Sequence, residues 1–277
     1  MSELNLAVVG HGFVGKAVSF GFDTENVKQH IIDPNYDTSV EDLYDIDVDV
    51  AFVCVPTPMS DTGRIDDSIV LDVTQKLIAN TDAIVVLKST VTPEIVDTLQ
   101  QLAKERFVYN PEFLTEANAE EDFVNATFNV FGGASYPCAE VAGMYSGYSK
   151  CVGASAIFMK ATEASFVKYT INTFLSTKVT FFNQLKDQTD KMGCDFDTIT
   201  SAVSLDPRIG NSHMMVPGPD GRRGFGGACF PKDTSAFYHF SENKFDLLKK
   251  VLYLNNSYRL QYDLDDREKE QNVKFGE

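Results

Sequence analysis

The chain has 277 residues, 43% of them hydrophobic, enough for one large domain or two ordinary ones, which excludes a wholly disordered protein. A formal net charge of -16 and a pI near 4.6 exclude a general binder of nucleic acid or anionic membrane, since either needs a basic surface; an anionic small ligand needs only a local positive site. Five scattered cysteines with no C-x-x-C, and four histidines with no ligand-spaced pair, argue against a metal site or a disulfide framework.

The N-terminus lacks a basic stretch followed by an apolar run, so no signal peptide is expected, and no segment approaches the roughly 18 apolar residues of a spanning helix. The expectation is a cytoplasmic protein with reduced thiols and no membrane partner.

In chain order, "LNLAVVG" reads as a buried strand and "HGFVGKAVSFGF" as a glycine turn opening a helix. Further strands are expected at "KQHIID", "VDVAFVCVP", "DAIVVLKST", "RFVYNP" and "TFNVFGG", with amphipathic helices over 68–79 and 93–104 between them. Strands apolar on both faces that alternate with helices imply an α/β fold, a doubly wound Rossmann-type parallel sheet, over residues 1–157. The pattern then changes. Residues 160–192 read as one long helix with Ala164, Val167, Ile171, Phe174, Leu175 and Val179 forming an apolar stripe, and Gly193 stops it. Shorter helices are expected over 195–204, 234–240 and 245–262, so 158–262 forms a smaller all-helical domain with a long central helix. A Gly/Pro-rich loop, "DPRIGNSHMMVPGPDGRRGFGG", leads to Cys229, and 263–277 reads as a charged, frayed tail.

Gly10, Gly12 and Gly15, with Phe13 and Val14 between them, form a G-x-G-x-x-G that follows a strand and opens a helix, the context in which such a motif binds a dinucleotide. The first glycine permits the turn, the second admits the pyrophosphate and the third lets helix approach strand. Asp33 ends the second strand, where an acid accepts hydrogen bonds from the adenosine ribose and repels a 2′-phosphate, favouring NAD over NADP. Ligands of such sheets lie beyond the carboxyl ends of the strands, which places Pro56, Thr57 and Thr90 near the cofactor; for isolated threonines ordinary turn chemistry is the better reading.

Lys168 and Asn172 lie four apart on one face of the long helix, where together they can hold a substrate oxygen or line a solvated face. Glu112 and Glu116 follow the fifth strand as catalytic or helix-capping acids. "GFGGACFPKD" frames Cys229 with glycines and sets Lys232 and Asp233 three and four residues beyond it. A nearby cation favours a thiolate and a carboxylate can relay a proton, so beside a nicotinamide this cysteine suggests oxidation of an aldehyde through a thiohemiacetal and a thioester.

The blocks "GHGFVG", "VPTP", "STV", "NPEFLTEA", "EASFVKYTINTFLSTKVTFFNQL", "DPRIG" and "GFGGACFPKD", in this order, resemble the UDP-glucose/GDP-mannose dehydrogenase family from about Leu4 to Arg259. The resemblance implies NAD-dependent oxidation of a nucleotide-sugar alcohol to the acid, with two NAD+ consumed. It implies Cys229 as nucleophile, Lys168 and Asn172 holding the reacting C6 oxygen, Asp233 assisting proton transfer, Glu112 in thioester hydrolysis and Thr90 near the reacting centre and the cofactor. Asp33, Thr57, Glu116 and Lys232 match cofactor contacts; Phe113, Leu114, Thr115 and Gly226 match backbone along the sugar nucleotide. In the family the long helix forms a dimer core, and Phe174, Phe181 and Phe182 on several of its faces make a homodimer the expectation.

Three departures accompany the likeness. The chain stops where the family's third domain, which closes over the base, would begin. Thr115 stands where an arginine is usual, and "NATFNV" where a Pro-x-Arg is usual. The loop before "GFGG" is longer, and its Arg222 and Arg223 read equally as diphosphate contacts or as a solvated tip. UDP-glucose is the leading substrate; GDP-mannose and UDP-N-acetyl sugars are alternatives. A 3-hydroxyacid-type dehydrogenase would share the lysine and asparagine but need no cysteine, and a silent NAD- or sugar-nucleotide-binding subunit would need no chemistry.

Overall fold

The computed structural model describes residues 2–115 and 118–276 and divides into two compact units, Met1–Thr57 with Asp66–Lys168, and Pro58–Ile65 with Tyr169–Glu277. The first unit contains β1 (Leu4–Val9), α1 (Phe13–Gly21), β2 (Val27–Ile32), β3 (Val50–Val53), α2 (Ser68–Asn80), β4 (Ile84–Leu87), α3 (Pro93–Ala103), β5 (Phe107–Tyr109), α4 (Ala119–Val124), β6 (Phe128–Gly133), α5 (Ser135–Tyr148) and β7 (Ser155–Met159). The helix α6 (Ala161–Lys191) begins in it. The second unit continues α6 and adds α7 (Phe196–Ser204), α8 (Phe230–Phe240), α9 (Asp246–Arg259) and α10 (Asp266–Glu270). No helix among the described residues is long and apolar enough to cross a membrane.

The first unit is a seven-stranded sheet in the order β2-β1-β3-β4-β5-β6-β7, parallel from β2 through β5. This Rossmann-like arrangement follows from the apolar runs: every residue of β3 is buried, as are Val85, Val86 and Leu87 of β4, so both faces need helical cover. Two features depart from an all-parallel sheet of six. The strand β6 runs antiparallel to β5, and β7 pairs in parallel with β6 at the edge. The segment "SAIFM" gives no burial signal because Ser155 to Phe158 are exposed.

The division along α6 falls at 168/169, where the sequence reading put it at 157/158. The first turns of α6 pack on the sheet: a Cβ at Gly132 would lie 2.7 Å from Ala164 Cβ, and Ser165 Oγ donates to the Val91 carbonyl at 2.7 Å. Past Tyr169 the buried face of α6 is polar. Thr173, Ser176 and Thr180 each donate back to a carbonyl one turn earlier, which satisfies their hydroxyls within the helix. Phe174 and Phe181 are exposed, whereas Phe182 packs with Phe196, Met214 and Val216.

The tail differs most from expectation. Asp265 caps α10 with a capping box, Val273 and Glu268 are buried, and Gln271 accepts from the Met59 N–H at 2.8 Å. A charged composition therefore conceals an ordered segment whose one buried carboxylate is matched by a buried guanidinium.

Candidate functional site

In the first unit the glycine turn is built as a cradle. Gly10 takes φ +87°, and a Cβ there would sit 2.7 Å from the Cys54 carbonyl oxygen, so only glycine fits. Gly12 meets nothing within 4 Å of where a Cβ would be, leaving open space at the N-terminus of α1. Phe13 and Val14 start that helix and Gly15 is buried within it. Asp33 accepts from the His11 N–H at 2.7 Å and the Asn35 N–H at 2.9 Å. Burial alone would raise its pKa, but these two donors outweigh it and hold the carboxyl below its usual range. The open turn, the helix N-terminus and the carboxylate at the end of β2 fit a dinucleotide. Thr57 and Thr90 are buried just past β3 and β4, and Pro56 is exposed beside them.

The same unit holds an ion pair. Lys168 Nζ lies 3.0 Å from Glu112 Oε1 and donates to the Glu112 carbonyl at 2.7 Å, both side chains being almost fully buried. Burial would raise the Glu112 pKa; Lys168, the Leu114 N–H bound to Oε2 at 2.7 Å and Lys88 outweigh it and hold the carboxyl below 4.5. The Phe113 ring faces Lys168 at 5.5 Å, and Thr115 donates to Asp122 through its backbone N–H at 2.8 Å. Glu116 lies outside the described residues.

Sequence reasoning missed Lys88. It is buried behind β4, donates to Asn110 Oδ1 at 3.0 Å and approaches the Tyr145 hydroxyl at 3.4 Å. Burial pushes its pKa down from 10.5 to about 8. A lysine ending an otherwise apolar strand is the one signal that could have found it.

In the second unit Cys229 is the N-cap of α8, and its carbonyl accepts the first helical bond from the Asp233 N–H at 2.8 Å. The helix starts at Phe230, one turn before expectation, because Pro231 in its first turn lacks only an N–H that would have had no helical partner. Asp233 is buried with both oxygens engaged: Lys232 Nζ at 2.6 Å on Oδ1 and Asn172 Nδ2 at 2.7 Å on Oδ2. Lys232 is thus joined to the acid rather than projecting as a free cation. Burial pushes the thiols of Cys54 and Cys138 to about 12 and about 11, which makes them packing groups. Cys229 is half-buried and flanked by glycines and a helix N-terminus.

Arg222 and Arg223 do not form a solvated tip. Arg223 binds Asn183 Oδ1 at 2.9 Å and Asp187 Oδ1 at 2.7 Å, and Arg222 donates to the Asp263 carbonyl at 2.8 Å. Both guanidinium groups are thus engaged within the unit, Arg222 also lying 3.8 Å from Glu268 Oε2. Gly226 lies against Arg259 and Glu268.

Comparison with known proteins matches two successive family models. A model of the UDP-glucose/GDP-mannose dehydrogenase family, NAD binding domain, matches residues 25–148, and a model of the central domain of that family matches 162–257. The UDP-glucose 6-dehydrogenase of Rickettsia typhi is 29% identical over 91% of this chain and 67% of its own length. The structure of a UDP-glucose dehydrogenase from Pyrobaculum islandicum superposes with a TM-score of 0.78 at 27% identity, over 92% of this chain and 68% of that one. The 3-hydroxyisobutyrate dehydrogenase of Mycobacterium tuberculosis shares the fold at 16% identity, TM-score 0.71, over 95% and 96% of the two chains. The chain spans from under a third to about two thirds of the length of the curated relatives it matches.

Proposed function

The chain belongs to the UDP-glucose/GDP-mannose dehydrogenase family, its first unit matching the NAD-binding domain, and from that premise we propose that it oxidises the C6 alcohol of a nucleotide sugar to the carboxylate, with UDP-glucose as substrate. The observation that carries this reading is Cys229 at the N-cap of α8, one turn from an Asp233 held by Lys232 and Asn172. A 3-hydroxyacid-type reaction needs a lysine and an asparagine but has no use for such a cysteine. The likeness to 3-hydroxyisobutyrate dehydrogenase is one of fold alone.

The glycines of the first turn and Asp33 would hold NAD, which supplies the hydride acceptor for each of the two oxidation stages. Lys168 and Asn172 orient the C6 oxygen from one helical face, since residues four apart stack on the same side. Lys168, whose charge rests on Glu112, stabilises negative charge as the alcohol loses its proton. The sulfur of Cys229 adds to the aldehyde carbon, forming a C–S bond while the carbonyl oxygen gains a proton. Cys229 is the N-cap residue of α8, whose N-terminus is an electropositive end that favours negative charge on the sulfur. Loss of the second hydride and of the hydroxyl proton leaves a thioester. Water, deprotonated by Glu112 or Asp233, then breaks the C–S bond and returns the thiol and a carboxylate. Exposed Phe174 and Phe181 on α6 support a homodimer through that helix. Cytoplasmic residence and a place in supplying uronic acid units for polysaccharide accord with this chemistry.

The test is stoichiometric. Purified protein with NAD+ and UDP-glucose should yield two NADH per sugar consumed, and Cys229→Ser should stop turnover. One NADH per sugar, indifferent to Cys229, would sink the proposal in favour of a single-step dehydrogenase. NAD binding with no turnover on UDP- or GDP-sugars would leave a binding subunit.

A further inference from the structure

Arg259 is the largest fully buried side chain among the described residues, and it sits beneath the glycines that lead to Cys229. Its Nη1 binds Asp220 Oδ2 at 2.6 Å and its Nη2 binds Glu268 Oε1 at 2.6 Å. Glu268 Oε1 also accepts from the Gly227 N–H at 3.2 Å, while Oε2 accepts from the Asp265 N–H at 3.0 Å. A Cβ at Gly226 would collide with both Arg259 Nη2 and Glu268 Oε1. The pair therefore presses directly on the backbone of residues 226 and 227, three and two positions from the cysteine.

The partners come from segments with no role in the chemistry. Asp220 belongs to the long loop, and Glu268 to α10. That helix is anchored in turn, because the Val273 N–H donates to the Glu268 carbonyl at 2.8 Å, Val273 is buried, and the Phe275 ring covers Arg259 at 5.4 Å. On the other side, Asn255 brackets Phe225, accepting from its N–H at 2.7 Å and donating to its carbonyl at 3.0 Å. A glycine run has the widest backbone freedom in the chain, and a nucleophile at its end is only as well aimed as that run is held.

We propose that Glu268, through Arg259 and the Gly227 N–H, is a positioning residue for Cys229: residues 263–276 form a strut that fixes the glycine loop and so aims the sulfur. The inference rests on the nucleophilic role of Cys229 proposed above, but its first readout does not. Glu268→Ala removes the acceptor and the charge; Glu268→Gln keeps the shape and an acceptor for Gly227. Alkylation of Cys229 by iodoacetamide, followed on its own peptide so that exposed Cys194 does not interfere, should run at least threefold faster in folded Glu268→Ala, with Glu268→Gln between it and the unaltered protein. With NAD+ and UDP-glucose, kcat should fall at least tenfold while KM for NAD+ stays within twofold. An unchanged alkylation rate in a folded Glu268→Ala protein would overturn the proposal, whatever its melting temperature. Should that variant not fold, Asp220→Asn loosens Arg259 from its half-exposed end. It should raise the alkylation rate in the same direction by at least 1.5-fold, and no rise there overturns the proposal equally. If the unaltered protein forms no NADH from any sugar nucleotide, the proposed reaction fails while the alkylation arm still decides the strut.

Discussion

In the sheet unit, Val50 to Val53 and Val85 to Leu87 have no accessible surface, and Phe22, Phe52, Phe123 and Tyr145 pack ring against ring beside them. In the helical unit the buried set includes Asn172, Ser176, Lys232, Asp233, Asn255, Arg259 and Glu268. One interior is held by apolar area, which tolerates small errors in geometry. The other adds to its apolar cluster paired charges and hydrogen bonds, which do not. A site that must aim a nucleophile gains from the second kind, and a site that binds a cofactor across backbone N–H groups can rest on the first.

Substitutions can break that contrast. Arg259→Ala should be the most damaging, because it leaves Glu268 buried without its nearest cation and opens a large cavity; a loss of about 5 kcal/mol, seen by urea unfolding, is expected. Phe52→Ala, which leaves only a cavity, should cost about 4 kcal/mol and leave the alkylation rate of Cys229 unchanged. A Phe52→Ala loss under 1 kcal/mol would mean that the sheet core is not the mainstay of its unit.

Lys88 sharpens the contrast, being a charge buried in the apolar unit. Its folded pKa lies near 8, below the ordinary 10.5, so between these values the unfolded chain binds more protons than the folded one. Stability should rise with pH across that window by up to about 3 kcal/mol, at 1.36 kcal/mol per unit. Lys88→Met should abolish the rise, and a rise that survives the change would assign it elsewhere. Glu112 works in the opposite range. Its pKa is lowered in the fold, so its contribution is complete above 4.5 and is lost as pH falls through the lowered value; Lys168→Met should remove that loss from the acid unfolding profile. The smallest effect is expected at the surface pair of Lys150 and Asp23, where Asp23→Ala should change stability by no more than about 0.5 kcal/mol.

The same contrast explains what could be read in advance. The first six strands were legible as apolar runs buried on both faces, and the long helix by its 3.6-residue period, although the face of α6 buried past Tyr169 is polar and Phe174 of the expected apolar stripe is exposed. The strand β7 was not, since an exposed edge imposes no pattern on "SAIFM". At the site, Lys168, Asn172, Cys229 and Asp233 were singled out by spacing and by glycine context. The pairing of Lys168 with Glu112 was not, because residues 56 apart in sequence meet only through the fold. Glu268 defeated the reading because a charge run looks solvated until its partners are known. Nothing in "DREKEQ" distinguishes the buried Glu268 from its exposed neighbours.

The helix α6 has one further consequence. Lys168 and Asn172 are separated by four residues of unbroken helix, hence by about 6 Å along its axis at 1.5 Å per residue. That interval works like a gauge block: its length is cut by backbone hydrogen bonds and owes nothing to the side chains packed around it. Repacking either interior, by substitution or by evolution, can retune the surroundings of the two groups without recalibrating the distance between them.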